Sequence, residues 1–114
     1  MEKIRLHKKI VKEIVEEIAT MIPSDEFVET QVIIDEVHGH FLITAVGWQN
    51  GNQRELNTFV HLDVKPDAKI WIQHDGTDLR IALMLVDKGI SKKDIVLGFH
   101  APHRREMMPE FASA

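Results

Sequence analysis

Apolar residues recur at three- and four-residue steps through residues 2–21. Ile4, Val11, Ile14, Ile18 and Ile22 form one stripe, which Ile10, Val15 and Met21 widen. Charged side chains, Glu13 to Glu17 and the lysines around them, occupy the other side. The pattern predicts a core-facing amphipathic helix, ended by Pro23-Ser24-Asp25. The period then changes. Residues 27–35 and 41–48 read as two strands joined through Glu36-Val37-His38-Gly39-His40, with His38 and His40 as exposed turn residues. Asn50-Gly51-Asn52 is a strong hairpin signal and leads into a third strand over 54–64. Pro66-Asp67 makes the next turn.

The fourth strand opens the most distinctive stretch, Lys69-Ile70-Trp71-Ile72-Gln73-His74-Asp75-Gly76-Thr77. By the two-residue period, Ile70, Ile72 and His74 point to one face and Trp71 and Gln73 to the other. Asp75-Gly76 breaks the strand, and Thr77 is placed to cap a helix over 78–88, with Asp78 in its first turn. That helix is apolar nearly all round, through Leu79, Ile81, Ala82, Leu83, Met84, Leu85 and Val86. Gly89 is placed to end it, Ser91 to cap a short turn over Lys92-Lys93-Asp94, and Ile95 to Phe99 to form a last strand. The tail, 100–114, holds two prolines and is expected to lie across the surface.

These elements predict an α+β fold in a single domain over residues 1–114. A long N-terminal helix and a second helix pack on an antiparallel sheet of four to five strands. At 114 residues with 44% hydrophobic and 28% charged residues, the chain has the length and composition of one globular domain. No apolar run is long enough to span a membrane, and the basic N-terminus lacks the apolar centre of a signal peptide. With no Cys there is no disulfide and no thiolate zinc site. A cytoplasmic location follows as the expectation. The formal charge of -4 makes direct nucleic-acid binding doubtful, and the basic clusters at Lys3 to Lys12 and at Lys92, Lys93, Arg104 and Arg105 read as solvated surface.

Chemistry is thinly signalled. His61 and Asp63 share a strand face, and His74 and Asp75 end the next strand. A hairpin about Pro66-Asp67 could make His61 and His74 cross-strand neighbours, with His100 and His103 able to approach from the last strand. Such donors suit zinc or iron, but the spacing matches no metal motif. His74 and Asp75 are adjacent and so point to opposite faces, a poor acid–base pair. There is no phosphate-binding glycine loop and no nucleophile elbow. The expectation is no catalysis, no cofactor and no specific metal.

Two stretches together resemble the XisI family, the fdxN-element excision controlling factors. They are Trp71-Ile72-Gln73-His74-Asp75-Gly76-Thr77-Asp78 and Asp94-Ile95-Val96-Leu97-Gly98-Phe99-His100, with support from the Glu29 strand, Val46-Gly47-Trp48, His61-Leu62-Asp63 and the ending Phe111-Ala112 with Ala114. The tail departs from the family pattern. Ala101 stands where the first of two prolines is usual, and Met107-Met108-Pro109 occupies the stretch that usually carries Tyr-Thr. Leu79, Leu83 and Met84 stand where the family's helix is acidic.

The resemblance implies an accessory role in cyanobacterial DNA rearrangement. The expected activity is non-enzymatic, exerted through a recombinase or a XisH-type companion, and no catalytic residues carry over. Two alternatives remain at this point: a small metal-dependent or acid–base hydrolase using His61, His74 and His100, and an inhibitory subunit of a nuclease-type gene pair. The surplus apolar face of the second helix, Leu79, Leu83 and Met84, is expected to lie in or beside a homodimer interface, the competing account being that the tail, 100–114, folds back to cover it within one chain.

Overall fold

The computed structural model describes residues 2–114. The chain runs α1 (Glu2–Thr20), β1 (Val28–Asp35), β2 (His40–Gln49), β3 (Gln53–Val64), β4 (Ile70–Asp75), α2 (Ile81–Asp87), a 3-10 turn (Lys92–Asp94), β5 (Ile95–Val96) and α3 (Pro102–Arg105). The five strands form one sheet in the order β1-β2-β3-β4-β5. No helix of the described residues is long and apolar enough to cross a membrane.

The N-terminal helix follows its apolar stripe. Ile10, Val11, Ile14, Val15 and Ile18 are buried against the inward side chains of the sheet, among them Phe41, Ile43, Val60, Leu62, Ile70 and Ile72. Each such side chain contributes about 1.5–3 kcal/mol by leaving water. His7 breaks the apolar rule on this face. It is buried, and its Nδ1 lies 2.6 Å from the Ala68 carbonyl oxygen, so an N–H donated there ties α1 to the β3–β4 turn.

The first four strands form an antiparallel meander, as the short turns predict. Asn50 and Gly51 both have positive φ, 53° and 78°, as the central pair of a turn closed by the Asn52 amide on the Gln49 carbonyl at 3.1 Å. The fifth strand corrects the antiparallel expectation. It pairs parallel to β4, Ile70 with Ile95 and Trp71 with Val96, because the chain crosses back through α2 before rejoining the sheet. It is also shorter than the apolar run that suggested it. The chain leaves the sheet after Val96, and the His100 amide closes a turn onto the Leu97 carbonyl at 3.0 Å.

The second helix begins later than its apolar run. Arg80 sits at its start in the left-handed region, φ 56°, so residues 78–80 form a turn rather than helix. At its other end the expected stop holds. Gly89 has φ 99°, and the Ile90 amide reaches back to the Leu85 carbonyl at 3.0 Å. Ser91 caps the 3-10 turn as expected, its Oγ accepting from the Lys93 amide at 3.2 Å.

Candidate functional site

With α1 on one side of the sheet, the other side of its first three strands carries no helix among the described residues. Pleat and register place Ile33, Leu42 and His61 in one row across it, Gln31, Thr44 and Thr58 in the next, then Glu29, Val46 and Leu56. At the far end Arg54 lies over the Trp48 ring, 5.3 Å from its centroid. Three of the apolar members are open to water, Leu56 66% exposed, Trp48 51% and Ile33 46%, while Leu42 and Val46 are half-buried. Ile33, Val46 and Leu56 line one shallow depression with Gln31, Thr44, Asn57 and Thr58.

The same face turns polar toward its other end. His40 pairs with Asp63 across the β2–β3 ladder, and His61 precedes Asp63 by two residues. His40 Nδ1 lies 2.7 Å and His61 Nε2 3.0 Å from the same oxygen, Oδ1 of Asp63. The other oxygen accepts from Gln73 Nε2 at 3.1 Å and has the Lys65 ammonium at 4.0 Å. Asp63 is only 5% exposed. Burial raises its carboxyl pKa, but the hydrogen bonds from His40 and Gln73, with the charge and hydrogen bond of His61, outweigh that. The carboxyl is held below its ordinary range.

A bulge controls how β4 joins this cluster. His61 pairs with His74 but Leu62 pairs with Ile72, so Gln73 is the extra residue. The extra residue moves His74 off the face of Ile70 and Ile72 that strict alternation assigned to it, and onto the face of His61. The two histidines are thus cross-strand neighbours, as the hairpin about Pro66-Asp67 allowed. His74 is exposed, and Asp75, beside it, is engaged elsewhere.

Asp75 does the capping expected of Thr77. Its Oδ1 accepts from the Thr77 amide and hydroxyl at 2.9 and 2.6 Å, and its Oδ2 accepts from the Ile81 amide, the first of α2, at 3.0 Å. Thr77 serves a smaller part, its Oγ1 accepting from the Leu79 amide at 3.1 Å. Gly76 is needed because a Cβ there would stand 2.8 Å from the Phe59 carbonyl oxygen.

Trp71 lies between two cations, Lys65 Nζ at 5.7 Å and Arg105 Cζ at 5.1 Å from its ring centroid. Gly98 passes so close that a Cβ would meet Gln73 Oε1 at 2.9 Å and the Trp71 ring at 3.1 Å. The Phe99 and His100 rings meet at a tilt of 45°, 4.4 Å between centroids. Most of the family stretch therefore serves the fold, by docking the tail, fixing Asp63 and starting α2.

The remaining expected residues separate. The donor atoms brought within 4.8 Å of one another are those of His40, His61 and Asp63, and neither His74 nor His100 is among them. His103 lies in α3 beside Met107 and Met108. His38 is an exposed turn residue as expected, its Nδ1 2.8 Å from Asp35 Oδ2, whereas His40 belongs to β2. Of the apolar face expected on α2, Met84 packs against the core, while Leu79 and Leu83 are 40% and 43% exposed. Phe111 lines a depression together with Leu83, so the tail lies beside this face. The Ala112 amide donates to the Ile95 carbonyl at 2.9 Å, and Lys93 and Lys69 donate to the carbonyls of Pro109 and Ala114.

The sequence pattern of the XisI protein family matches residues 1–113. No curated relative matches significantly. Among solved structures, a XisI-like protein from Anabaena variabilis ATCC 29413 superposes with a TM-score of 0.90 at 36% identity. The match covers 97% of this chain and 99% of that one. The fdxN element excision controlling factor XisI from the same organism gives 0.86 at 33% identity, covering 98% and 99%. This chain belongs to the XisI family.

Proposed function

We propose that the chain is a non-enzymatic controlling factor in the excision of a DNA element. It acts by holding a partner protein, a recombinase or a XisH-type companion, against the open face of its sheet. One observation carries the reading: the apolar group of Ile33, Trp48 and Leu56, all exposed, with the half-buried Val46 among them, on a face that α1 leaves bare. Clustered apolar exposure of this kind marks contact surfaces, since each side chain gains by leaving water. The formal charge of -4 favours a protein partner over direct reading of DNA. A similar solved structure is that of an fdxN element excision controlling factor, which supports the excision setting.

The test is co-expression with the XisH-type companion and, separately, with the recombinase, followed by size-exclusion chromatography of the complex. The wild type is expected to co-elute with one of them, and Leu56→Glu to lose the complex while keeping its own melting temperature. A complex that survives Leu56→Glu and Trp48→Ala together overturns the assignment of the surface. Failure of both partners to co-elute overturns the reading.

A further inference from the structure

The pairing of β2 with β3 adds His40 to the His61 and Asp63 that share a strand face, and we propose that the three bind one divalent transition ion of the zinc type. Water would complete its coordination. Two imidazoles and one carboxylate are a donor set that such ions take in open sites. One ligand atom from each of His40, His61 and Asp63 lies within 4.8 Å of the other two. Ligands of a tetrahedral ion with bonds of about 2.0–2.2 Å stand roughly 3.3–3.6 Å apart. The present separations from Asp63 Oδ1, 2.7 and 3.0 Å, therefore need to open by only a fraction of an ångström.

The framework is rigid. His40 and Asp63 are direct partners on adjacent strands, and His61 shares the Asp63 face two residues earlier. Gln73 fixes the second carboxylate oxygen from β4, the outer-shell support that orients metal-ligating groups. Asp63 forms the buried floor, and the two imidazoles stand at the wetter rim, where water has access.

Without an ion, the same three groups are a hydrogen-bonded cluster in which imidazole N–H groups satisfy a buried carboxylate. An ion would take the ring nitrogens that carry those N–H groups, and each ring proton would move to the other nitrogen of the same imidazole. Any further proton on a ring competes with the ion, so binding must weaken as the pH falls. The Lys65 ammonium, 4.0 Å from Asp63 Oδ2, opposes a cation and sets the affinity below that of an all-histidine site.

The experiment titrates the metal-free full chain with zinc chloride by calorimetry, and with cobalt(II) by its visible absorption. One ion per chain is expected, with an affinity that falls as the pH is lowered and a cobalt band of four- or five-coordinate intensity. His40→Gln and His61→Gln should each weaken binding about ten-fold or more, and Gln73→Ala about ten-fold. His38→Gln, which alters only the exposed Asp35 turn, should change nothing. Circular dichroism confirms that each variant is folded, and His40→Gln, at the more exposed ring, decides the matter should His61→Gln unfold. Absence of saturable binding, affinity unchanged in His40→Gln, or an equal loss in His38→Gln overturns the proposal.

Discussion

Replacing Asp75 with alanine tests how the most distinctive stretch of the chain works. The carboxylate accepts three hydrogen bonds, from the Thr77 amide, the Thr77 hydroxyl and the Ile81 amide. Bonds to a charged acceptor are worth about 1.5–3 kcal/mol each where both groups are dry. The two from Thr77 lie at a partly exposed turn and return largely to water. The third belongs to Ile81, whose side chain is fully buried, so its amide is left without a partner. Loss of a helix cap costs about 1 kcal/mol, and an unsatisfied amide adds about 1–3 kcal/mol, so the total is about 2–4 kcal/mol. At roughly 4 °C per kcal/mol for a domain of this size, the melting temperature should fall by about 8–16 °C. Thr77→Ala loses only its own hydroxyl contacts and should cost about 0.5–1 kcal/mol. Urea denaturation of both variants with unchanged m-values is the assay. A Thr77→Ala loss equal to or larger than that of Asp75→Ala would return the cap to Thr77 and refute the assignment.

Other expected outcomes follow from single contacts. The Asp63 carboxyl has a folded pKa below its ordinary value, so its contribution to stability is fully present above the ordinary carboxylate range and is lost as pH falls through the depressed value. Asp63→Asn should therefore flatten the acid limb of a stability–pH curve measured by urea titration, and an unchanged limb would contradict the cluster. Gly47→Ala puts a Cβ 2.1 Å from the backbone oxygen of Phe27 and should cost at least about 2 kcal/mol, read from chemical denaturation. His7→Leu removes the donor facing the buried Ala68 carbonyl and should cost about 1–3 kcal/mol in the same measurement. Leu83→Glu, at a partly exposed site, should shift stability by less than about 0.5 kcal/mol. The homodimer proposal requires that it also convert a dimer to a monomer in sedimentation velocity, and a monomeric wild type ends that proposal.

Helix α1 and the meander were legible because period and turn chemistry act locally. The spacing of Ile10, Val11, Ile14 and Ile18 gives the buried stripe, and Asn50-Gly51 gives the hairpin. What was not legible depends on register. Two bulges, at Phe59 opposite the Ile43–Thr44 step and at Gln73, each shift which residues share a face. The second carries His74 to the outer side. His40 looked like a turn residue beside Gly39, and only the pairing of β2 with β3 sets it against Asp63. A two-residue parallel strand leaves almost no periodic signal, and the left-handed Arg80 leaves none. The apolar run over 79–86 was visible, but its partners, Phe111 from the tail and the core beneath Met84, come from distant parts of the chain.

The claim that the open sheet face receives a partner protein is tested most directly by site-specific photocrosslinking. A photoreactive amino acid is placed in turn at Leu56 on that face, at Leu83 on α2, and at Leu6 on the exposed side of α1, each in the presence of the XisH-type companion or the recombinase. All three positions are exposed in the isolated chain, so none is favoured by accessibility alone. Strong crosslinking to one of these partners from position 56, with little from 83 and none from 6, is expected. Crosslinking from position 83 or 6 with none from 56 contradicts the claim.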